Sequence, residues 1–263
     1  MKVGIIGCGF IGTELAKFID INKDFKLIGV NDINKVKVDD LIKKVKNNKP
    51  KFLTLEELIL HSELIIESAS KDVVDDILKN KFLDRNGKKL LVMSTSGLIE
   101  NLYLLGKIKN YEILIPSGAI AGLDAIKAVS GKIKSLTLTT TKSPKSLQNA
   151  PYIIENKISL KNIRYEKIIF DGNFKDAING FPQNINVAAT LFLASKFKRI
   201  RVRIIAEPSA KLNIHEIVCA GDFGRIIART ENKPSANPRT SYLAVLSAIE
   251  ILKGLKCNLV VRN

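Results

Sequence analysis

Apolar positions follow two rhythms along this chain of 263 residues, and the change falls near residue 130. Before it, short unbroken apolar runs alternate with segments of helical period. Val3, Ile5 and Ile6 open the series, and residues 25–30, 64–70, 89–95 and 112–116 repeat the strand signal, with helical stretches at 13–19, 55–61 and 73–79. Strands that are apolar on both faces and separated by helices predict a parallel, doubly wound sheet with right-handed crossovers. After residue 130 the pattern alternates with period two, at 135–141 and 158–160, and β-rich runs follow at 165–170, 201–206, 214–220 and 225–230. Short connections between neighbours predict a mainly antiparallel sheet with one solvated face. Residues 186–194 read as a buried helix. Residues 240–255 read as a last helix, introduced by Pro238 and capped by Thr240 or Ser241. The expected fold class is α/β, with an N-terminal domain over 1–120 and a smaller α+β domain over 121–238. The helix at 239–263 is expected to pack back onto the first domain.

Composition narrows the picture. The hydrophobic fraction of 46% is that of an ordinary globular chain. No apolar run has the length of a membrane span, and the first strand begins too early for a secretory signal, so a soluble, cytoplasmic protein is expected, with no membrane partner. Cys8, Cys219 and Cys257 lack C-x-x-C spacing, so neither a disulfide framework nor a metal site is expected. The net charge of +16 raises the question of nucleic acid. Its basic residues are interspersed with acids, as in Lys71-Asp72-Val73-Val74-Asp75-Asp76, and aromatic residues make up only 6% of the chain. Without interleaved aromatic and basic positions, no nucleic-acid partner is expected. A positive field still favours small anions.

Chemistry enters at the first turn. Gly7, Gly9 and Gly12 fit G-x-G-x-x-G between a strand and a helix, with Phe10 and Ile11 inside the turn. In this pattern the first glycine makes the tight turn, the second lets a pyrophosphate approach the backbone, and the third permits close helix packing. The N-terminal domain is thus expected to be a Rossmann-type dinucleotide-binding sheet. Asp32 closes the second strand, where its carboxylate accepts from a ribose 2′-hydroxyl and repels a 2′-phosphate, which points to NAD.

Three polar-rich segments interrupt the second half: residues 116–125, 181–189 and 213–224. The first follows a sheet strand at its carboxyl end and is rich in small residues. In the second, Asn184 and Asn186 straddle a helix start, where one amide caps the helix and the other is left to orient a carboxamide. In the third, His215 lies on a strand with an imidazole suited to proton transfer. The other histidine, His61, ends a short helix and reads as a surface residue.

Together these segments resemble the L-aspartate dehydrogenase family. The similarity rests on Pro-Ser-Gly-Ala-Ile-Ala-Gly-Leu-Asp-Ala at 116–125, Phe-Pro-Gln-Asn-Ile-Asn-Val-Ala-Ala at 181–189 and Asn-Pro-Arg-Thr-Ser-Tyr-Leu-Ala at 237–244. The resemblance implies NAD(P)-dependent oxidation of L-aspartate to iminoaspartate, which hydrolyses to oxaloacetate and ammonia and feeds NAD biosynthesis. It implies that His215 is the acid/base residue and that Ala121 or Ala119, with Asn186 or Asn184, forms the nicotinamide site. The family uses both NAD and NADP, and Asp32 tilts this member toward NAD. The last helix's N-terminus, at Thr240 and Ser241, is a candidate for the substrate carboxylates. The half-solvated second sheet makes a homodimer the expected assembly. Two alternatives share the opening motif: a two-domain reductase of the dihydrodipicolinate or homoserine type, and a non-catalytic NAD-sensing module that binds nucleic acid.

Overall fold

The computed structural model describes all residues except 86, 183–184, 236–240 and 258–263. Among the described residues the chain forms two compact units, one of Met1–Pro116 with residues 245–257, the other of Ser117–Ala244.

In the first unit six strands, β1 (Lys2–Ile6), β2 (Lys26–Asn31), β3 (Lys51–Phe52), β4 (Leu64–Glu67), β5 (Lys88–Val92) and β6 (Tyr111–Leu114), are all parallel, in the order β3-β2-β1-β4-β5-β6. The unbroken apolar runs have the physical cause expected of them: Val3, Ile5, Leu64, Ile65, Ile66, Leu90 and Leu91 are all buried. The helix Phe10–Ile21 turns Leu15, Ala16 and Ile19 onto the sheet at helical spacing. Val245, Ala248 and Leu252 of the helix Tyr242–Gly254 enter the same core. Strand order reverses between β1 and β4, and ligands of open α/β sheets bind beyond the carboxyl ends of the strands at such a reversal. The helix Leu55–His61 starts in a capping box made by Thr54 and Glu57. Buried Lys88 closes its other end by donating to the carbonyls of Ile59, Leu60 and Ser62. His61, its last residue, is exposed.

The second unit carries β7 (Ile133–Lys142), β8 (Lys167–Asn173), β9 (Arg201–Ala206), β10 (Asn213–Gly221) and β11 (Gly224–Asn232), in the order β11-β10-β7-β9-β8. Every pairing is antiparallel except β7 with β9. Period-two alternation places Leu136, Leu138, Thr140 and Lys142 of β7 on the buried face, together with Asn213, His215, Ile217 and Cys219 of β10. Two local expectations need correction. Residues 158–160 form no strand, because the Ile158 amide donates back to the Ile153 carbonyl and closes the helix Pro151–Glu155, with Lys157 in the left-handed region at φ 51. The helix Asn186–Ser195 begins with Asn186 as its first residue and Ile185 at the cap position, so Asn186 is not the cap. Asn184 and Thr240 lie outside the described residues.

Among the described residues, no helix is long and apolar enough to cross a membrane.

Candidate active site

The glycine turn begins where β1 ends. Gly7 has φ 95, and a side chain there would start 2.6 Å from the Ser68 carbonyl oxygen, so both the backbone conformation and the space demand glycine. Gly12 is held as tightly, since an added Cβ would collide with the Gly7 carbonyl oxygen. Gly9 is the reverse case, with no atom within 4 Å of where a side chain would start. It stands at the N-terminus of the helix Phe10–Ile21, which no side chain caps. An open backbone approach at an uncapped helix start fits an anionic pyrophosphate. Ser68, following β4, steadies the turn by donating to the Gly7 carbonyl at 2.9 Å.

Asp32 has a second task that the sequence did not reveal. One carboxylate oxygen accepts from the Cys8 amide at 2.7 Å and the other from the Asn34 amide at 2.8 Å, so it braces the glycine turn and the next helix start. An ionised carboxylate has about four lone-pair sites, which leaves acceptor capacity for ribose hydroxyls. Glu67 works in a similar way at the end of β4. Fully buried, it accepts from the Ala69 amide at 2.7 Å and from the Ser94 amide and hydroxyl at 2.9 Å, tying together the loops after β4 and β5. Burial pushes its carboxyl above the usual range against those hydrogen bonds.

In the second unit the buried face of the sheet has an apolar end and a polar end. Leu136, Leu138, Ile217 and Cys219 make the first. Thr140, Lys142, Asn213 and His215 make the second, and Thr230 and Asn232 continue it on β11. His215 is 3% exposed and stands between Thr140 and Thr230 in the ladder. Its Nδ1 lies 3.0 Å from Thr140 Oγ1. Desolvation, then the neighbouring Lys142 charge, holds the imidazole pKa down at about 3, so the ring is neutral at physiological pH.

The segment after β6 is anchored to this polar end. Thr230 Oγ1 and Asn232 Nδ2 donate to the Ala119 carbonyl at 2.6 and 3.0 Å, and Gly118 and Gly122 bend the chain at φ 66 and 76. Ala119 is buried and its carbonyl is doubly engaged, whereas Ala121 is exposed. Asn186 is also exposed, at the start of its helix. Ser241 is buried, and its hydroxyl accepts from Asn213 Nδ2 at 3.5 Å. Sequence reasoning passed over Thr140, Lys142, Thr230 and Asn232. The signal was present in β7, where Thr140 and Lys142 share the phase of Leu136 and Leu138 and so had to be buried.

Family comparison supplies the rest. A model described as the C-terminal region of aspartate dehydrogenase matches residues 124–255, and one described as the NAD-binding domain of homoserine dehydrogenase matches residues 7–109. The L-aspartate dehydrogenase of Methanosarcina mazei is 42% identical over 262 residues, covering 96% of each chain. The chain belongs to the L-aspartate dehydrogenase family. Another member of that family, from Methanococcoides burtonii, is 40% identical over 260 residues, again covering 96% of both chains. The crystal structure of the aspartate dehydrogenase of Thermotoga maritima superposes with a TM-score of 0.75 at 24% identity, over 100% of this chain and 99% of that one. A putative myo-inositol dehydrogenase from Sinorhizobium meliloti, at TM-score 0.53 and 11% identity over 99% and 91% of the chains, shares the fold alone. Membership of the L-aspartate dehydrogenase family thus covers both units, including the polar sheet end around His215.

Proposed function

We infer that the protein is an NAD(P)-dependent L-aspartate dehydrogenase, converting L-aspartate to iminoaspartate, which water hydrolyses to oxaloacetate and ammonia. The observation that carries this reading is the buried His215 among hydroxyl and amide side chains, in a chain whose first unit presents an open glycine turn. A bound nicotinamide supplies the hydride acceptor. Gly7, Gly9 and Gly12, with Phe10 and Ile11, receive the pyrophosphate, and the spare acceptor sites of Asp32 favour NAD over NADP. His215 accepts a proton from the substrate ammonium, because only the free amine assists hydride departure from Cα. With Nδ1 engaged by Thr140, the transfer falls to Nε2. Ala121 and Asn186, both exposed, serve the nicotinamide end better than buried Ala119. Buried Ser241 contributes to the substrate side through Asn213.

The test is the reduced-nicotinamide absorbance on mixing protein and NAD with L-aspartate, with homoserine as the comparison. Signal with homoserine alone would favour the rival reductase reading. Cys8 and Cys219, both buried thiols, suit a reducing cytoplasm. A homodimer belongs to the same reading, supported by Ile168 and Ile227, each more than half exposed on the second sheet. Sedimentation at the mass of a single 29.1 kDa chain would remove that part.

A further inference from the structure

Two carboxylates are buried among the described residues, Asp20 and Glu67, and each accepts hydrogen bonds from main-chain amides. Asp20 stands near the C-terminal end of the helix Phe10–Ile21 and gathers the amides of Lys46, Asn47 and Asn48 before β3. It lies most of a helix away from Gly9, about 16 Å at 1.5 Å per residue, so its task is local. Glu67 ends β4, the strand beside β1 where the strand order reverses. Its Oε1 accepts from the Ala69 amide at 2.7 Å and the Ser94 hydroxyl at 2.9 Å, and its Oε2 from the Ser94 amide at 2.9 Å. The Ala69 amide nitrogen also borders the glycine turn, since a Cβ on Gly7 would start 2.6 Å from it.

An apolar side chain after Leu64, Ile65 and Ile66 would continue the buried strand without the desolvation that a buried carboxylate carries. What the carboxylate adds is a grip on three donors from two loops, through charge-assisted hydrogen bonds. The first loop, Ser68-Ala69, walls the glycine turn, with Ser68 donating to the Gly7 carbonyl and Ala69 exposed. The second leaves β5 and carries Ser94 at the same edge of the sheet. On the other flank of β1, Asp32 follows β2 and holds the Cys8 amide. Each strand beside β1 thus carries, at or just past its carboxyl end, a carboxylate that fixes main chain around the turn. We propose that Glu67 is a positioning residue for the dinucleotide, holding the loops after β4 and β5 so that the cofactor crevice is formed before NAD arrives. Preformation tightens binding, because apparent affinity falls with the fraction of molecules in the competent arrangement. The proposal rests on the reading above for its placement of NAD at the glycine turn.

Glu67→Gln keeps the volume and removes the charge, and its NH2 group must face a donor. Asp20→Asn makes the same change at the other buried carboxylate and controls for plain loss of stability. Both should lower the urea midpoint. Only Glu67→Gln should weaken NADH binding, followed by fluorescence, by roughly 10- to 100-fold, the loss of competent population that broken charge-assisted hydrogen bonds cause. Saturating NAD restores that population, so the KM for NAD should rise while kcat with aspartate changes little. Wild-type NADH affinity in Glu67→Gln overturns the proposal, and so does equal weakening in Asp20→Asn. A collapse of kcat with NADH affinity preserved overturns it too. Should Glu67→Gln not fold, hydrogen exchange in the wild-type protein decides. The Ala69 and Ser94 amides should be protected before cofactor is added, and free exchange of both until NADH is present overturns the idea. Wild-type protein that binds no NADH defeats the reading of the cofactor site. Wild type that binds NADH, with normal binding in Glu67→Gln, defeats this inference alone.

Discussion

His215 carries the sharpest consequences at the scale of single residues. Replacement by alanine removes the proposed proton acceptor and should lower kcat with aspartate by roughly 10²–10⁴-fold, measured at saturating NAD. Near-normal turnover would remove the residue from the mechanism. The same histidine makes stability depend on pH. Its folded pKa of about 3 lies below the unfolded value of 6.5, so between those values the unfolded chain binds a proton that the folded chain does not. The contribution is complete above pH 6.5 and is lost progressively as pH falls toward 3. Urea midpoints at stepped pH should therefore fall on acidification, and His215→Asn should fall less steeply through that window.

Strands and turns explain which parts of the molecule were legible in advance. The parallel sheet was readable because burial on both faces leaves unbroken apolar runs, and the glycine turn because its spacing answers three separate steric demands. Gly12→Ala tests one of them. The new methyl meets the Gly7 carbonyl oxygen, a backbone atom that cannot swing aside, so a loss of about 1–3 kcal/mol is expected in denaturant melts. A raised KM for NAD should accompany it, and unchanged values for both would show that the turn relaxes. Other features were hidden for physical reasons. Residues 158–160 alternate like a strand, yet a helix end claims the Ile158 amide. Asp32 reads as a ribose ligand, and nothing local in the sequence says that it also grips the Cys8 amide. The polar end of the second sheet joins residues more than seventy positions apart, Thr140 to His215, so only the strand register brings it into view.

At the scale of the whole molecule, the charge of +16 acts as a diffuse field. Both aspartate and the dinucleotide carry net negative charge, so encounter should be favoured at low salt and screened as the Debye length shrinks. kcat/KM for aspartate should then decline with added sodium chloride while kcat changes little. A flat profile would mean that the surface acids cancel the field near the site. The helix Tyr242–Gly254 has a different reach. Its Val245, Ala248 and Leu252 complete a core that is otherwise built from the first half of the chain. On the ribosome, the nascent dinucleotide unit thus waits with an open apolar flank until the entire second unit has been synthesised. Nearly the whole polypeptide must be present before its earliest part can close.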